Sequence, residues 1–243
     1  MREPIHGDDF SRAGPQGVDL IDPYEPELGS LPETSVSPGD VEGINHTGTT
    51  TIGITTADGV VIATDMRASL GGRFVSHKHV QKVEQIHPSA ALTMVGSVGG
   101  AQMFISNLRA EVNLYEARRG ESMRIDALAT LAGNFARGGP FFAIHPILGG
   151  VDEEGSHVYS IDPAGGVMDD EYTVTGSGMQ VAYGHLEQAY EPDLSNEEAA
   201  TIAAEGIKSA VERDTGSGNG VYLCTITEDG VDIKGHTDFD DVL

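Results

Sequence analysis

Tryptophan is absent from this 243-residue sequence, cysteine occurs once and lysine only four times. The single cysteine, Cys224, excludes an intrachain disulfide and makes a reducing cytoplasm the expected compartment. No apolar run approaches the roughly 18 residues of a membrane-spanning helix, and the N-terminus carries no secretory hydrophobic region. Basic residues are scarce: 14 Lys plus Arg stand against 38 Asp plus Glu, a formal net charge of −24. Such a field repels phosphate backbones and anionic headgroups, so neither nucleic acid nor a membrane is expected as partner. With 39% hydrophobic residues the chain still has a core to build. An acidic, lysine-poor surface over ordinary hydrophobic periodicity points to a protein that stays soluble in high salt, where charge is screened over short distances.

What is present changes sharply near residue 48. Residues 1–48 hold ten acids, two arginines and six of the 11 prolines. That composition cannot bury enough apolar surface to offset chain entropy, so a mostly disordered leader, either a tail or a propeptide, is expected there. From Thr49 the β-branched run Thr49-Thr50-Thr51-Ile52-Gly53-Ile54 favours a strand. A second strand over 60–65 follows the Asp58-Gly59 turn, a strong hairpin signal. The pattern predicts a further hairpin from 74–79 and 80–85, with Lys82 within a strand, and a short strand at 90–95. Helical spacing runs over 99–119 and 125–135. Strands are expected at 141–149, 157–161 and 171–175, and helices at 178–190 and 199–213. Ser195 through Glu198 reads as a capped helix start. Two strands, 222–227 and 231–234, close the domain, which spans 49–243. Two helix pairs and two sets of strands predict an α+β fold with helices outside two stacked sheets.

The junction Gly48-Thr49 carries the chemistry. Cleavage there would leave Thr49 with a free amine beside its own hydroxyl, the pairing of N-terminal threonine nucleophiles. The plain alternative is a threonine-rich edge strand. A threonine hydroxyl is a weak nucleophile and needs a base and an electropositive setting; Asp65 and Lys82 are the nearest candidates if their strands are neighbours. Gly96, between a strand and a helix, offers a backbone N–H for an oxyanion. Three rival motifs are weaker. Residues Gly96 to Gly100 lack the Walker lysine and glycine fingerprint of a nucleotide loop. Asp214-Thr215-Gly216-Ser217 spells an aspartic-protease signature, but it occurs once and follows an amphipathic helix. His77 and His79 alternate without an evident third metal ligand, which reads as surface histidine.

Taken in order, Gly48-Thr49-Thr50-Thr51-Ile52-Gly53-Ile54, Asp65-Met66-Arg67, Lys82, Gly96, Thr175-Gly176-Ser177-Gly178 and Arg213 through Gly218 resemble a proteasome β subunit, most closely the archaeal type. The resemblance runs from Gly48 to about residue 235. It implies the four-layer αββα sandwich of N-terminal nucleophile hydrolases and a threonine endopeptidase, without cofactor or metal. On that resemblance Thr49 is the nucleophile and its freed amine the base. Asp65 and Lys82 form the charged pair beside it, Ser177, Asp214 and Ser217 the polar network around the amine, and Gly96 the oxyanion hole. The specificity pocket would be walled by Ala68, Val80, Met94 and Val98 and prefer large hydrophobic side chains. Strand alternation puts Met94 on the side of Gly96, and Glu84 is expected to add acid at the rim. The implied partners are β subunits in a heptameric ring, flanking α subunits, an ATP-dependent unfoldase and unfolded polypeptide as substrate. Two departures stand out. The leader is long for an archaeal member, and the Asp65–Lys82 spacing exceeds the usual one by a residue, placed at the Gly71-Gly72 turn. A structural ring subunit with unprocessed Thr49 is the second reading of the same fold.

Overall fold

The computed structural model describes residues 48–138 and 144–243; the leader assigned to 1–48 therefore lies, but for Gly48, outside the described residues. Strands β1 (Thr50–Thr56) and β2 (Gly59–Asp65) form the first hairpin, turning at Ala57-Asp58. There follow β3 (Ala68–Leu70), β4 (Phe74–His77), β5 (Val83–His87) and β6 (Ala90–Thr93), then helices α1 (Val98–Arg119) and α2 (Ile125–Arg137). Strands β7 (Ile147–Asp152), β8 (Gly155–Ile161), β9 (Val167–Asp169) and β10 (Tyr172–Gly176) lead to α3 (Met179–Ala189) and α4 (Asn196–Val211). Strands β11 (Val221–Thr227) and β12 (Gly230–His236) end the sheet, followed by a short 3-10 turn at Phe239–Asp241. One antiparallel sheet runs β10-β1-β2-β11-β12 and the second β5-β6-β7-β8-β9, with β3-β4 a separate ribbon.

Alternation along the strands builds the layers. Ile52, Ile54, Val61, Ala63 and Leu223 face α3 and α4, where Ala182, Leu186, Ala203 and Ile207 complete a buried cluster. The opposite faces, Val60, Ile62, Cys224 and Ile226, meet Val83, Ala91, Ile147 and Val158 of the second sheet. Helices α1 and α2 cover that sheet's outer side, giving the expected αββα order. The sheets approach closely where they carry no side chain. A Cβ on Gly149 would stand 2.8 Å from Val60, and one on Gly53 2.8 Å from Ile147. Helix starts are fixed by local hydrogen bonds. Ser97 caps α1, and Ser195 and Glu198 form the reciprocal box that opens α4.

Three expectations are corrected. Segment 74–79 does not pair with 80–85. Gly71 and Gly72, at φ of 58° and 68°, fold β4 back onto β3. β5 pairs instead with β6 across the Pro88-Ser89 turn, and Val80 to Lys82 form a loop. The strand placed at 141–149 begins only at Ile147, because Pro146 has no N–H for the ladder; residues 139–143 lie outside the described ones. β6 ends at Thr93, so strand alternation does not position Met94. Among the described residues no helix is long and apolar enough to cross a membrane, and no cluster of side chains could hold a metal ion. His77 ends β4 and His79 sits in the following loop, both exposed.

Candidate active site

Thr49 stands immediately before β1, so the strand that begins the sheet also fixes the residue's backbone direction. It is buried, with 1% exposure. Asp65 is the last residue of β2, the neighbouring strand, and the antiparallel register brings it back beside the start of β1. Its Oδ1 accepts from Thr50 N at 3.0 Å. Its Oδ2 accepts from Arg67 N at 3.0 Å and Gly218 N at 2.9 Å. Lys82, in the loop before β5, reaches across from the second sheet. Its Nζ donates to Asp65 Oδ1 at 2.7 Å and to Thr49 Oγ1 at 2.8 Å. Both charged side chains are almost wholly inaccessible. Burial pushes the Asp65 carboxyl above its ordinary range and pulls the Lys82 ammonium below its own, with their ion pair opposing both shifts. A buried ammonium touching a hydroxyl oxygen stabilises an alkoxide there far more than the same contact would in water.

The backbone nitrogen of Thr49 has its own surroundings. It donates to Ser177 Oγ at 3.1 Å. Ser177 follows β10, the strand hydrogen-bonded to β1 on its other side, which is why it arrives at the same corner. Ser177 and Ser217 each donate to Asp214 Oδ2 at 2.6 Å, and Ser217 also shares a 2.8 Å hydrogen bond with Thr50 Oγ1. Gly48 runs through a slot that admits no side chain. An added Cβ would lie 2.3 Å from Gly216 Cα and 3.1 Å from Ser177 Oγ.

Gly96, with φ of 99°, bridges to Ile144 just before α1. Together with Thr49, Lys82, Ala68, Val80, Met94 and Val98 it lines one small cavity of about 20 Å³. All four residues expected in the specificity pocket thus come together, although Met94 arrives through the turn after β6; its N–H donates to Lys82 O at 2.7 Å. Glu84 does not reach this cavity. Arg109 holds its carboxylate at 2.9 Å, which accounts for the acid expected at the rim. A wider cleft of about 520 Å³, which shares Gly96 with the small cavity, is bordered by Gly48, Gly72, His145, Ser177 and Asp214.

Sequence reading missed the clamp that shapes the Asp214–Gly220 loop. Arg67 Nε donates to Asn219 Oδ1 at 3.0 Å and its guanidinium to Thr215 O at 3.1 Å. Asn219 takes a positive φ of 69°, which asparagine tolerates. The Asn-Gly step at 219–220 was a visible turn signal, but nothing local linked it to Arg67.

A family model described as proteasome subunit matches residues 45–226. The chain belongs to the proteasome subunit family. It is 78% identical to proteasome subunit beta 1 of Haloterrigena turkmenica over 243 residues, covering 100% of both chains. Against the proteasome subunit beta of Natrialba magadii the identity is 76% over 243 residues, again 100% of both. Against proteasome subunit beta 1 of Haloarcula marismortui it is 70% over 245 residues, 100% of both. Within the family the chain is therefore of the β type found in halophilic archaea.

Proposed function

We propose that the chain is the catalytic β subunit of a cytoplasmic 20S-type proteasome, a threonine endopeptidase that releases its own nucleophile by cutting between Gly48 and Thr49. The observation that carries this reading is the 2.8 Å hydrogen bond from the buried Lys82 ammonium to Thr49 Oγ1. In the uncut chain Thr49 Oγ1 attacks the Gly48 carbonyl, the acyl group moves from nitrogen to oxygen, and water hydrolyses the resulting ester. The freed α-amine, held near Ser177 and Asp214, then serves as general base through a water. On a substrate peptide Thr49 Oγ1 adds to the scissile carbonyl while Lys82 stabilises the developing alkoxide and the Gly96 backbone faces the oxyanion. Collapse expels the amine with the proton taken from Thr49, and water cleaves the acyl-enzyme.

The cavity beside Thr49 is apolar on its Ala68, Val80, Met94 and Val98 walls, which favours cleavage after large hydrophobic residues. At about 20 Å³ it is smaller than such a side chain and has to widen on binding, and Met94, with three rotatable bonds, is the most adaptable of its walls. Subunit beta 1 and subunit beta 2 both occur in Haloterrigena turkmenica, at 78% and 76% identity to this chain, which supports a multi-subunit assembly. The family resemblance extends that to heptameric β rings flanked by α rings and fed by an ATP-dependent unfoldase. Intact mass and N-terminal sequencing of the assembled complex test the reading. The expected result is a chain beginning at Thr49, with Thr49→Ala keeping the leader and losing peptide hydrolysis. An assembled, leader-bearing wild type without hydrolysis would make it a structural ring subunit.

A further inference from the structure

The small cavity lined by Thr49 and the wider cleft bordered by Gly48 and Ser177 are not interchangeable. The leaving nitrogen of a substrate is protonated by the group that took the Thr49 proton, so the departing half must lie on the amine side of Thr49. That side is marked by Ser177, which accepts from Thr49 N at 3.1 Å, and by Asp214, 2.6 Å from Ser177. Both border the cleft of about 520 Å³ and neither borders the small cavity. The wider cleft therefore receives the residues that follow the scissile bond, an assignment that rests on the reading of this chain as a threonine peptidase.

The far wall of that cleft is Ile144, His145 and Pro163. His145 is half-buried, and its backbone N–H donates to Val95 O at 3.3 Å, tying it to the segment that ends in Gly96. Burial lowers its pKa below the ordinary histidine value, against the pull of Asp162, so the ring is uncharged at neutral pH. The two carboxylates nearby have hydrogen-bond donors of their own. Asp214 takes Ser177, Ser217 and Gly216 N, and Asp162 takes Ala164 N and Gly166 N. Their charge opposes an acidic side chain. A flat neutral ring beside Ile144 and Pro163 suits stacking.

We infer that His145 is a specificity-determining residue for the side chain immediately after the scissile bond, favouring an uncharged aromatic one. The test uses the assembled protein and internally quenched peptides, identical up to a scissile Leu and followed by Phe, Gly, Lys or Glu. Wild type is expected to cleave the Phe peptide about threefold to tenfold better than the Gly peptide in kcat/KM, the size of one aromatic pair contact. Glu is expected last. In His145→Ala the ratio of Phe to Gly falls toward one, and in His145→Phe it persists. Because each ratio is internal to one preparation, altered yield does not affect it. Mass spectrometry of a digested unfolded protein, with wild type alone, gives the same preference independently. An unchanged ratio in His145→Ala, or an acidic preference in wild type, would overturn the inference. Failure of wild type to cut any peptide would overturn the peptidase reading and this inference with it.

Discussion

Replacing Lys82 by Ala separates the chemistry of the site from its stability. The substitution removes two contacts at once, the 2.7 Å pair to Asp65 and the 2.8 Å bond to Thr49 Oγ1. Breaking one half of a buried ion pair costs about 3–5 kcal/mol. Asp65 keeps three backbone N–H donors, from Thr50, Arg67 and Gly218, so the lower end, about 3 kcal/mol, is expected. Loss of a cation at a developing alkoxide costs about 10²–10³ in turnover. Weaker activation of the nucleophile adds to this, so kcat should fall by about 10³ or more. The assay is kcat on a fluorogenic peptide, measured on assembled variant alongside its unfolding midpoint and N-terminal sequence. The double variant Asp65→Asn with Lys82→Met completes the argument. With both charges gone, much of the stability should return, since neutral groups carry no unpaired-charge penalty, while activity stays lost. A processed, assembled Lys82→Ala with near-normal kcat would refute the role given to that lysine.

Other outcomes follow from the same geometry. Fluorogenic peptides differing only before the scissile bond should be cut fastest after Leu, Phe or Tyr and more slowly after Arg or Glu; a clear acidic preference would mean that the Ala68–Met94 cavity is not the specificity pocket. His87, buried against Ser122 and Glu116, has its pKa lowered by desolvation, with the Glu116 and Asp152 charges opposing. The folded state then binds fewer protons than the unfolded one below the unfolded value of about 6.5. Stability should therefore drop as pH falls from there toward the lowered folded value, and be insensitive to this group above it. Unfolding midpoints at pH 7.5 and 5.5 should differ less in His87→Gln than in wild type; equal differences would dismiss the histidine as their source.

The chain's periodicities made the layers legible because both faces of β2 and β11 carry apolar residues, a pattern that suits a sheet covered on both sides. The capping box at Ser195 and Glu198 was readable for the same reason: its hydrogen bonds are local. The errors fell where pairing is decided at a distance. Whether β4 joins β3 or β5 depends on the two left-handed glycines at 71 and 72 and on the competing attraction of β6 for β5, neither of which propensity reports. Thr49, Asp65 and Lys82 were recoverable as a set from the ordered motifs. That Lys82 lies in a loop was not, since its position is fixed by the Met94 N–H donating to its carbonyl. The Arg67–Asn219 contact joins residues far apart in sequence and had no local signature at all. His145 escaped for a related reason, because a single histidine before Pro146 says nothing about the wall it completes.

The candidate site is divided between the two sheets. Thr49, Asp65, Ser177 and the Asp214 loop hang from strands of the first sheet, whereas Lys82 and Gly96 flank β5 and β6 of the second. The spacing between the sheets, held short where Gly53 and Gly149 leave room for the opposing side chains, therefore also sets how far Lys82 stands from Thr49. A methyl group added at either glycine would act like a shim in a hinge. It would touch no reacting atom, and most of the core would stay assembled. The gap between Lys82 and Thr49 would nevertheless widen. On the proposed mechanism, sensitivity of turnover to change thus extends deep into the sandwich, to Gly53 and Gly149, where the opposing side chains leave no room for a Cβ.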